Sequence, residues 1–147
     1  MQIVIHRGTH EIGGSCVEIR TRQTKILLDL GLPLDFDSRP QEQQKQIRRE
    51  ALEWAQDADA IFISHFHADH HGLLPDTHQD VAIYATAGTA AMMHVTEVIH
   101  GRGDADYLRH ISVLSKDADD RKFEPVIVGD ICITPYTVDH AAYDACA

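Results

Sequence analysis

Short segments in the first part of the chain alternate apolar and polar residues, which is the pattern of half-buried β-strands. This pattern predicts strands at residues 2–6, 16–20 and 25–30. The segment 9–15, which contains two glycines, and the polar segment 21–24 are predicted to be the turns between them. Because strands joined by short turns pair side by side, we expect an antiparallel meander.

The pattern in the rest of the chain predicts helices interspersed with further strands. Residues 41–56 predict a solvent-facing helix, and the Ala-, Met- and Val-rich residues 86–100 predict a partly buried helix. We expect a short helical turn at 73–75 and a short helix with a loop within 103–120. The further predicted strands are 60–64, 81–85, 126–128, 131–134 and 136–138, with the third and fourth joined as a hairpin at Gly129-Asp130. The predicted fold class is α/β (α+β by layer), with a largely antiparallel or mixed sheet and flanking helices.

Length and composition indicate one domain. The chain has 147 residues, of which 44% are hydrophobic and 24% charged, as in ordinary globular proteins. Residues 1–147 contain no repeat and no visible domain boundary. The net charge of −10 argues against binding nucleic acid or membrane through charge alone. It leaves a nucleic-acid substrate open, because a bound metal ion adds local positive charge.

The cysteines and the apolar runs indicate in which cellular compartment the protein is expected. Cys16, Cys132 and Cys146 are odd in number and widely spaced, so we expect no disulfide framework. The first residues lack the apolar region of a signal peptide, and no run reaches the roughly 18 apolar residues of a membrane span. The prediction is a cytoplasmic protein with no membrane partner.

The segment SHFHADHHG at residues 64–72 is rich in residue types that bind metal ions. It follows the apolar run 60–63, so the first two histidines of an extended segment point the same way. The chain then turns, and the next acidic residue and histidine approach from a second direction. The candidate ligands for Zn²⁺ or a similar divalent ion are His65, His67, Asp69 and His70. A polar loop that is merely His-rich is a poorer explanation of so long and fully occupied a pattern.

Three residues outside these four are further candidates. His140 follows the predicted strand 136–138 and an acidic residue, so it could supply the third ligand of a tetrahedral site. Asp29 ends an apolar strand, and it either turns the chain by accepting backbone N–H groups or orients metal ligands. His71 is either a loop residue or a partner of the ligands. The scattered histidines, such as His78, His94, His100 and His110, are expected on the surface or on helices.

Such a ligand set favours hydrolysis. Two metal ions about 3.5–4 Å apart can clamp the two oxygens of an in-line displacement. A bound metal also lowers the pKa of its water toward about 7, which makes hydroxide available at neutral pH. Phosphodiesters, thioesters, lactams and lactones are all open to this chemistry. The ligands therefore predict the reaction type better than the substrate.

The motif H-x-H-x-D-H-x-G at residues 65–72, with the apolar segments 61–64 and 27–31, resembles the metallo-β-lactamase-fold hydrolases. The resemblance implies Zn²⁺, one or two ions per site, with Mn²⁺ or Fe as alternatives. It implies that Asp69 also manages the catalytic water or a proton, and that Asp29 supports the ligands. The implied ligands are His65, His67 and His140 for one ion, and Asp69 and His70 for the other.

Two further segments, 8–16 and 137–145, resemble the RNA-processing branch that includes ribonuclease J and the β-CASP nucleases. This resemblance implies a hydrolase in which metal-activated hydroxide attacks an RNA phosphodiester. One alternative is a hydrolase of small-molecule thioesters or lactones on the same site. The other is a catalytically inactive metal-binding module.

The family fold is an αββα sandwich of two similar halves, and this chain ends seven residues after His140. We therefore expect residues 1–147 to form the N-terminal half, a partial domain whose missing partner is the C-terminal half. The family's later aspartate and histidine ligands have no counterpart here. A half-sandwich leaves an apolar face uncovered, so we also expect a homo-oligomer.

Overall fold

A computed structural model describes residues 1–77, 81–103, 105–119, 121–140 and 142–147. These ranges contain strands, α-helices and three short 3₁₀ turns. The elements are β1 (Gln2–Arg7), β2 (Cys16–Arg20), β3 (Lys25–Leu28), α1 (Gln41–Ala55), β4 (Ala60–Phe62), α2 (Ala68–His71), β5 (Ala82–Ala85), α3 (Ala87–Ile99), β6 (Ile111–Val113), β7 (Val126–Val128) and β8 (Ile131–Ile133).

The first six strands form one mixed sheet in sequential order. Strands β1, β2 and β3 pair antiparallel, which confirms the predicted meander. Strands β3 to β6 pair parallel, so their carboxyl ends meet at the same edge of the sheet. The mixed α/β fold class is confirmed. Chain segments that follow these strands are thereby brought together at this edge.

The two faces of the sheet are covered differently. Leu27, Ile61 and Ile83 pack on the helix side with Ile47 of α1 and Met93 of α3. The other face is covered in part by the antiparallel hairpin of β7 and β8, whose apolar side chains pack with Ile26 and Phe62 of the sheet. Because β3 and β4 are buried on both faces, nearly all of their residues are apolar.

Several predicted boundaries need correction. Strand β3 ends at Leu28 because Asp29 has a left-handed backbone (φ 61°), and β4 ends at Phe62. Strand β6 lies inside 103–120, where the sequence predicted a short helix and a loop. The predicted strand 136–138 is wrong, because Tyr136 and Thr137 make only isolated bridges to two different segments. Of the described helices, none is long and apolar enough to cross a membrane.

Candidate metal centre

The candidate ligands lie at the carboxyl edge of the sheet. Asp29 directly follows β3, and His65 comes three residues after the end of β4. The short helix α2 contains Asp69 and His70, and His140 approaches from the C-terminal segment. The structure therefore brings together the five residues that the sequence proposed as ligands, although His140 is 75 positions from His65.

Three imidazole rings converge at the centre of this group. Nε2 of His65 lies 3.1 Å from Nδ1 of His67 and 3.2 Å from Nε2 of His140. Among the described residues, these three form the group whose ligand atoms all lie within 4.8 Å of one another. His65 is buried, His67 is half-buried and His140 is exposed. The cluster is thus anchored in the protein on one side and open to solvent on the other.

The electrostatics of His65 suit the binding of a cation. Burial and the neighbouring charges of His70, His140 and His67 lower the pKa of His65 to about 4, so its ring is neutral at pH 7. Neutral imidazole is the form that binds metal ions. Nitrogen lone pairs this close repel one another unless a proton or a metal ion lies between them. The residues present therefore fit a divalent ion such as Zn²⁺.

Asp29 connects the strand ends to the ligands. Its Oδ1 accepts a hydrogen bond from the backbone N–H of Ser64 (2.8 Å), and its Oδ2 accepts from the Ser64 hydroxyl (2.9 Å) and from Nδ1 of His70 (2.7 Å). Asp29 thus accepts a backbone N–H from a distant segment, not from its own turn, and it contacts one of the candidate ligands. A carboxylate that accepts from one ring nitrogen orients the other nitrogen toward a metal ion.

Asp69 and His70 form a second pair of ligand types. Oδ2 of Asp69 lies 3.5 Å from Nε2 of His70, and both side chains are about one fifth exposed, at 22% and 21%. Burial alone would lower the pKa of His70, but the hydrogen bond to Asp29 and the charges of Asp29 and Asp69 raise it overall. The rings of His65 and His70 have centroids 3.9 Å apart. The pair is therefore directly beside the three-histidine cluster.

The backbone around α2 is held by hydrogen bonds from the segment after β3. The N–H groups of Leu30 and Leu32 donate to the carbonyls of His70 and Ala68 (2.8 and 3.0 Å). Ser15 N–H donates to the carbonyl of Asp69 (3.0 Å). Gly31 lies so close to Asp69 that a Cβ atom would overlap its carbonyl oxygen. These contacts fix residues 64–72, which we call the ligand loop, to the sheet.

His71 is buried in α2. Its Nε2 bonds to the carbonyl oxygen of Phe66 (2.7 Å), which links α2 to the segment between the first two histidines. Burial lowers its pKa, so the ring is neutral and Nε2–H can donate. His71 therefore stiffens the segment that contains His65 and His67, and its role as a partner of the ligands stays a prediction.

Sequence reasoning missed Ser64 and Gly31. The Ser64 hydroxyl lies 3.0 Å from Nδ1 of His65 as well as bonding to Asp29, so it links two candidate residues. Its place immediately before the first histidine was the available signal, whereas the role of Gly31 depends on a contact between distant segments. The scattered histidines His94, His100 and His110 are exposed, as predicted, and His78 lies outside the described residues.

Comparison with solved structures identifies the fold. The chain superposes on MEM-A1, a subclass B3 metallo-β-lactamase from a soil metagenome library, with a TM-score of 0.59 and 20% sequence identity. The match covers 91% of this chain and 50% of the lactamase. The protein has the metallo-β-lactamase fold, as the sequence motif indicated.

Comparison with curated sequences finds similarity to proteins that are named as RNases. The chain is 35% identical over 91 residues to the RNase J-like protein of Methanocaldococcus jannaschii, and 41% identical over 76 residues to the probable RNase MJ4 of the same organism. These matches cover 62% and 51% of this chain but only 19% and 16% of the relatives. No protein-family model matches the chain. The relatives confirm the resemblance to the ribonuclease J branch.

Proposed function

We propose that the protein is a metal-dependent hydrolase whose substrate is RNA, with the phosphodiester bond as the target. The main observation behind this proposal is that three imidazole nitrogens converge beside the Asp69–His70 pair. They converge at the edge of the sheet where four parallel strands end. The names of the two relatives support RNA as the substrate class. Because those relatives are much longer, we assign the activity to the full-length protein that contains this chain.

His65, His67 and His140 are the residues that would hold a Zn²⁺ ion, and Asp69 and His70 would contribute to a second ion. When bound, such an ion lowers the pKa of a water molecule and neutralises charge on a phosphate oxygen. The same positive charge would offset the net charge of −10, which otherwise repels a polyanion. Mn²⁺ or Fe could serve in place of Zn²⁺ with the same donors.

Asp69 is the proposed catalytic residue. Its carboxylate is partly open to solvent, and its backbone carbonyl is fixed by Ser15. A carboxylate held in this way can accept a proton from the attacking water and can orient that water by a hydrogen bond. Asp29 and Ser64 hold the His65 and His70 rings, and His71 holds the loop between them.

The first experiment tests the ligands. Zn²⁺ titrated calorimetrically into the metal-free chain should bind tightly, and His65→Ala or His67→Ala should abolish tight binding. The matched control is His94→Ala, because His94 is exposed on α3, away from the candidate cluster. Equal losses in all three variants would contradict the assignment of these histidines as ligands.

The second experiment tests the substrate. The full-length protein is incubated with end-labelled single-stranded RNA and, separately, with a small thioester, each with Zn²⁺ or Mn²⁺. We expect RNA cleavage that EDTA stops and that Asp69→Asn reduces by about 100-fold or more. Thioester hydrolysis without RNA cleavage would support the small-molecule alternative. Tight metal binding without either activity would support an inactive metal-binding module.

A further inference from the structure

The described residues 136–140 and 142–147 include His140 and have ends that are joined by hydrogen bonds, and we call them the tail loop. The backbones of Tyr136 and Ala147 exchange two hydrogen bonds, of 2.8 and 2.9 Å, and Val138 N–H donates to the carbonyl of Ala145 (3.1 Å). His140 lies between these limbs and is exposed. Since little packing holds its side chain, the position of His140 depends on where the tail loop is attached to the rest of the protein.

Before His140, Thr137 N–H donates to the carbonyl of Arg121 (2.9 Å), and Lys116 Nζ donates to the Thr137 hydroxyl (3.1 Å). After His140, the described residues of the tail loop are attached at Cys146 and at Asp144. Cys146 N–H donates to the carbonyl of Ser64 (2.9 Å), the residue before His65. The other attachment is Asp144, whose Oδ2 accepts a hydrogen bond from the backbone N–H of Gly88 (2.9 Å). The hydroxyl of Thr86 donates to the backbone carbonyl of Asp144 (2.7 Å). Asp144 therefore binds the tail loop to the first turn of α3.

The first turn of α3 is suited to a carboxylate at this position. Gly88 N–H is one of the amide groups that a helix leaves without an internal partner, and a negative charge there is favourable. Asp144 has a left-handed backbone (φ 57°), which Asp and Asn adopt more readily than other non-glycine residues. Lys116 Nζ lies 3.7 Å from its Oδ1 and adds a weaker attraction.

Gly88 also permits the contact sterically. A Cβ atom at Gly88 would lie 2.5 Å from Cβ of Asp144 and 2.6 Å from the ring of Tyr143. The Tyr143 ring is 74% exposed and can move aside, but the Asp144 Cβ can move only with the backbone of the tail loop. The close approach of α3 and the tail loop therefore depends on glycine at this position.

We propose that Asp144 is a positioning residue of the candidate metal centre, fastening the tail loop to α3 so that His140 stays beside His65 and His67. This inference rests on the proposed metal centre. Asp144 itself does not bind the ion. It acts on His140, which lies four positions earlier in the chain, through the attachment of the tail loop to α3.

The test measures the affinity of the 147-residue chain for Zn²⁺ by calorimetry. Asp144→Gly removes the carboxylate but keeps the left-handed backbone accessible, and it should weaken Zn²⁺ binding by about 10- to 100-fold. Asp144→Asn keeps an acceptor oxygen for Gly88 N–H and should restore the affinity to within about threefold of wild type. The control is Asp57→Gly, because Asp57 is also an aspartate with positive φ (58°) and is exposed after α1.

A second variant and a second measurement separate positioning from general destabilisation. Gly88→Ala introduces a strong helix former into α3, yet it should weaken Zn²⁺ binding because it displaces the tail loop. The NMR signals of the His140 ring should shift less on Zn²⁺ addition in Gly88→Ala and Asp144→Gly than in wild type, whereas those of Asp144→Asn should follow wild type.

The outcomes are distinct. Zn²⁺ affinity that depends on His65 and His140 but not on Asp144 would overturn this inference alone. An Asp144→Asn variant that binds Zn²⁺ as weakly as Asp144→Gly would also overturn it. The charge of the carboxylate, and not the position of the tail loop, would then explain the loss of affinity. Affinity that does not depend on His65 would overturn the proposed metal centre together with this inference.

Discussion

At the scale of single residues, Gly31 shows how closely the ligand loop packs against the sheet. The backbone of Gly31 passes directly against the carbonyl of Asp69, and its own N–H donates to the carbonyl of Ser15 (3.0 Å). The neighbouring N–H groups of Leu30 and Leu32 bond to the same loop. Any side chain at position 31 must therefore push α2 away from the sheet.

We expect Gly31→Ala to reduce the free energy of unfolding by roughly 1–3 kcal/mol, because the added methyl group has no free space beside Asp69 and overpacks this contact. It should also weaken Zn²⁺ binding, because the displaced segment contains Asp69 and His70. Urea unfolding and Zn²⁺ calorimetry measure the two effects.

The control for this prediction is Gly101→Ala. A Cβ atom at Gly101 meets nothing within 4 Å, although its φ of 72° makes alanine strained by roughly 1–2 kcal/mol. Gly101→Ala should therefore cost stability but leave Zn²⁺ affinity unchanged. If Gly31→Ala binds Zn²⁺ as tightly as wild type, the close approach is not what positions the loop.

At the level of residues, local spacing predicted the clustered ligands, and the distant His140 was predicted from its place in the chain and from the family resemblance, but the backbone contacts between distant segments were missed. His65, His67, Asp69 and His70 share one short segment, so their spacing alone indicated a common site. The contacts of Gly31 with Asp69 and of Asp144 with Gly88 join segments far apart in the chain. Nothing in the local pattern distinguishes these residues from ordinary loop residues.

At the scale of elements, the end of α3 is held by a buried carboxylate. Glu97 is 3% exposed, and it accepts hydrogen bonds from Nε of Arg102 (2.6 Å) and from the hydroxyl of Tyr107 (3.2 Å). Burial alone would raise the pKa of Glu97, but the hydrogen bonds and the charge of Arg102 lower it below its ordinary value. The carboxylate therefore ties α3 to the turn that precedes β6.

This carboxylate predicts a pH-dependent stability. Because the folded-state pKa lies below the unfolded value, the stabilisation is present above the ordinary value of 4.5 and is lost as the pH falls through the folded-state pKa. We expect wild type to exceed Glu97→Gln in free energy of unfolding by roughly 1.5–3 kcal/mol at neutral pH. This difference should shrink as the solution is acidified below 4.5.

Urea unfolding of both proteins over a series of pH values measures this difference. The control is Glu53→Gln, because Glu53 is exposed on α1, and its effect should stay within about 0.5 kcal/mol. A gap between wild type and Glu97→Gln that is constant or widens on acidification would contradict the assigned role of Glu97.

Elements with a strong pattern of their own were predictable, and elements defined by their partners were not. Helix α1 and the β7–β8 hairpin were found from helical periodicity and from the Gly129-Asp130 turn. Strand β6 has only three residues and is a strand because β5 pairs with it. Residues 136–138 have the composition of a strand, but they lack a continuous partner strand. Pairing with distant segments decided both cases.

At the scale of the whole molecule, the sheet has one well-covered face and one that is partly open. A cavity of about 560 Å³ lies between the sheet and the β7–β8 hairpin. Its lining is mainly apolar and includes Val17, Ile19, Leu28, Phe62, Ile131 and Ile133. The homo-oligomer predicted from the sequence would cover this face with a second copy of the chain.

Sedimentation velocity should therefore show a species of twice the chain mass of 16.4 kDa. Ile131→Gln should shift this species toward the monomer, because Ile131 lines the cavity. The matched control is Ile127→Gln on the same hairpin, where the side chain is 74% exposed and does not line the cavity. A wild-type chain that sediments only as a monomer would contradict self-association.

The distance in sequence between His65 and His140 also sets an order of events in time. At synthesis rates of about 5–20 residues per second, the 75 positions between them separate their appearance by roughly 4–15 s. The β1–β5 part of the sheet and α2 can therefore form while His140 is still absent. Docking of the tail loop can then follow as a late step, in which the third imidazole joins the other two after the sheet edge and α3 have formed.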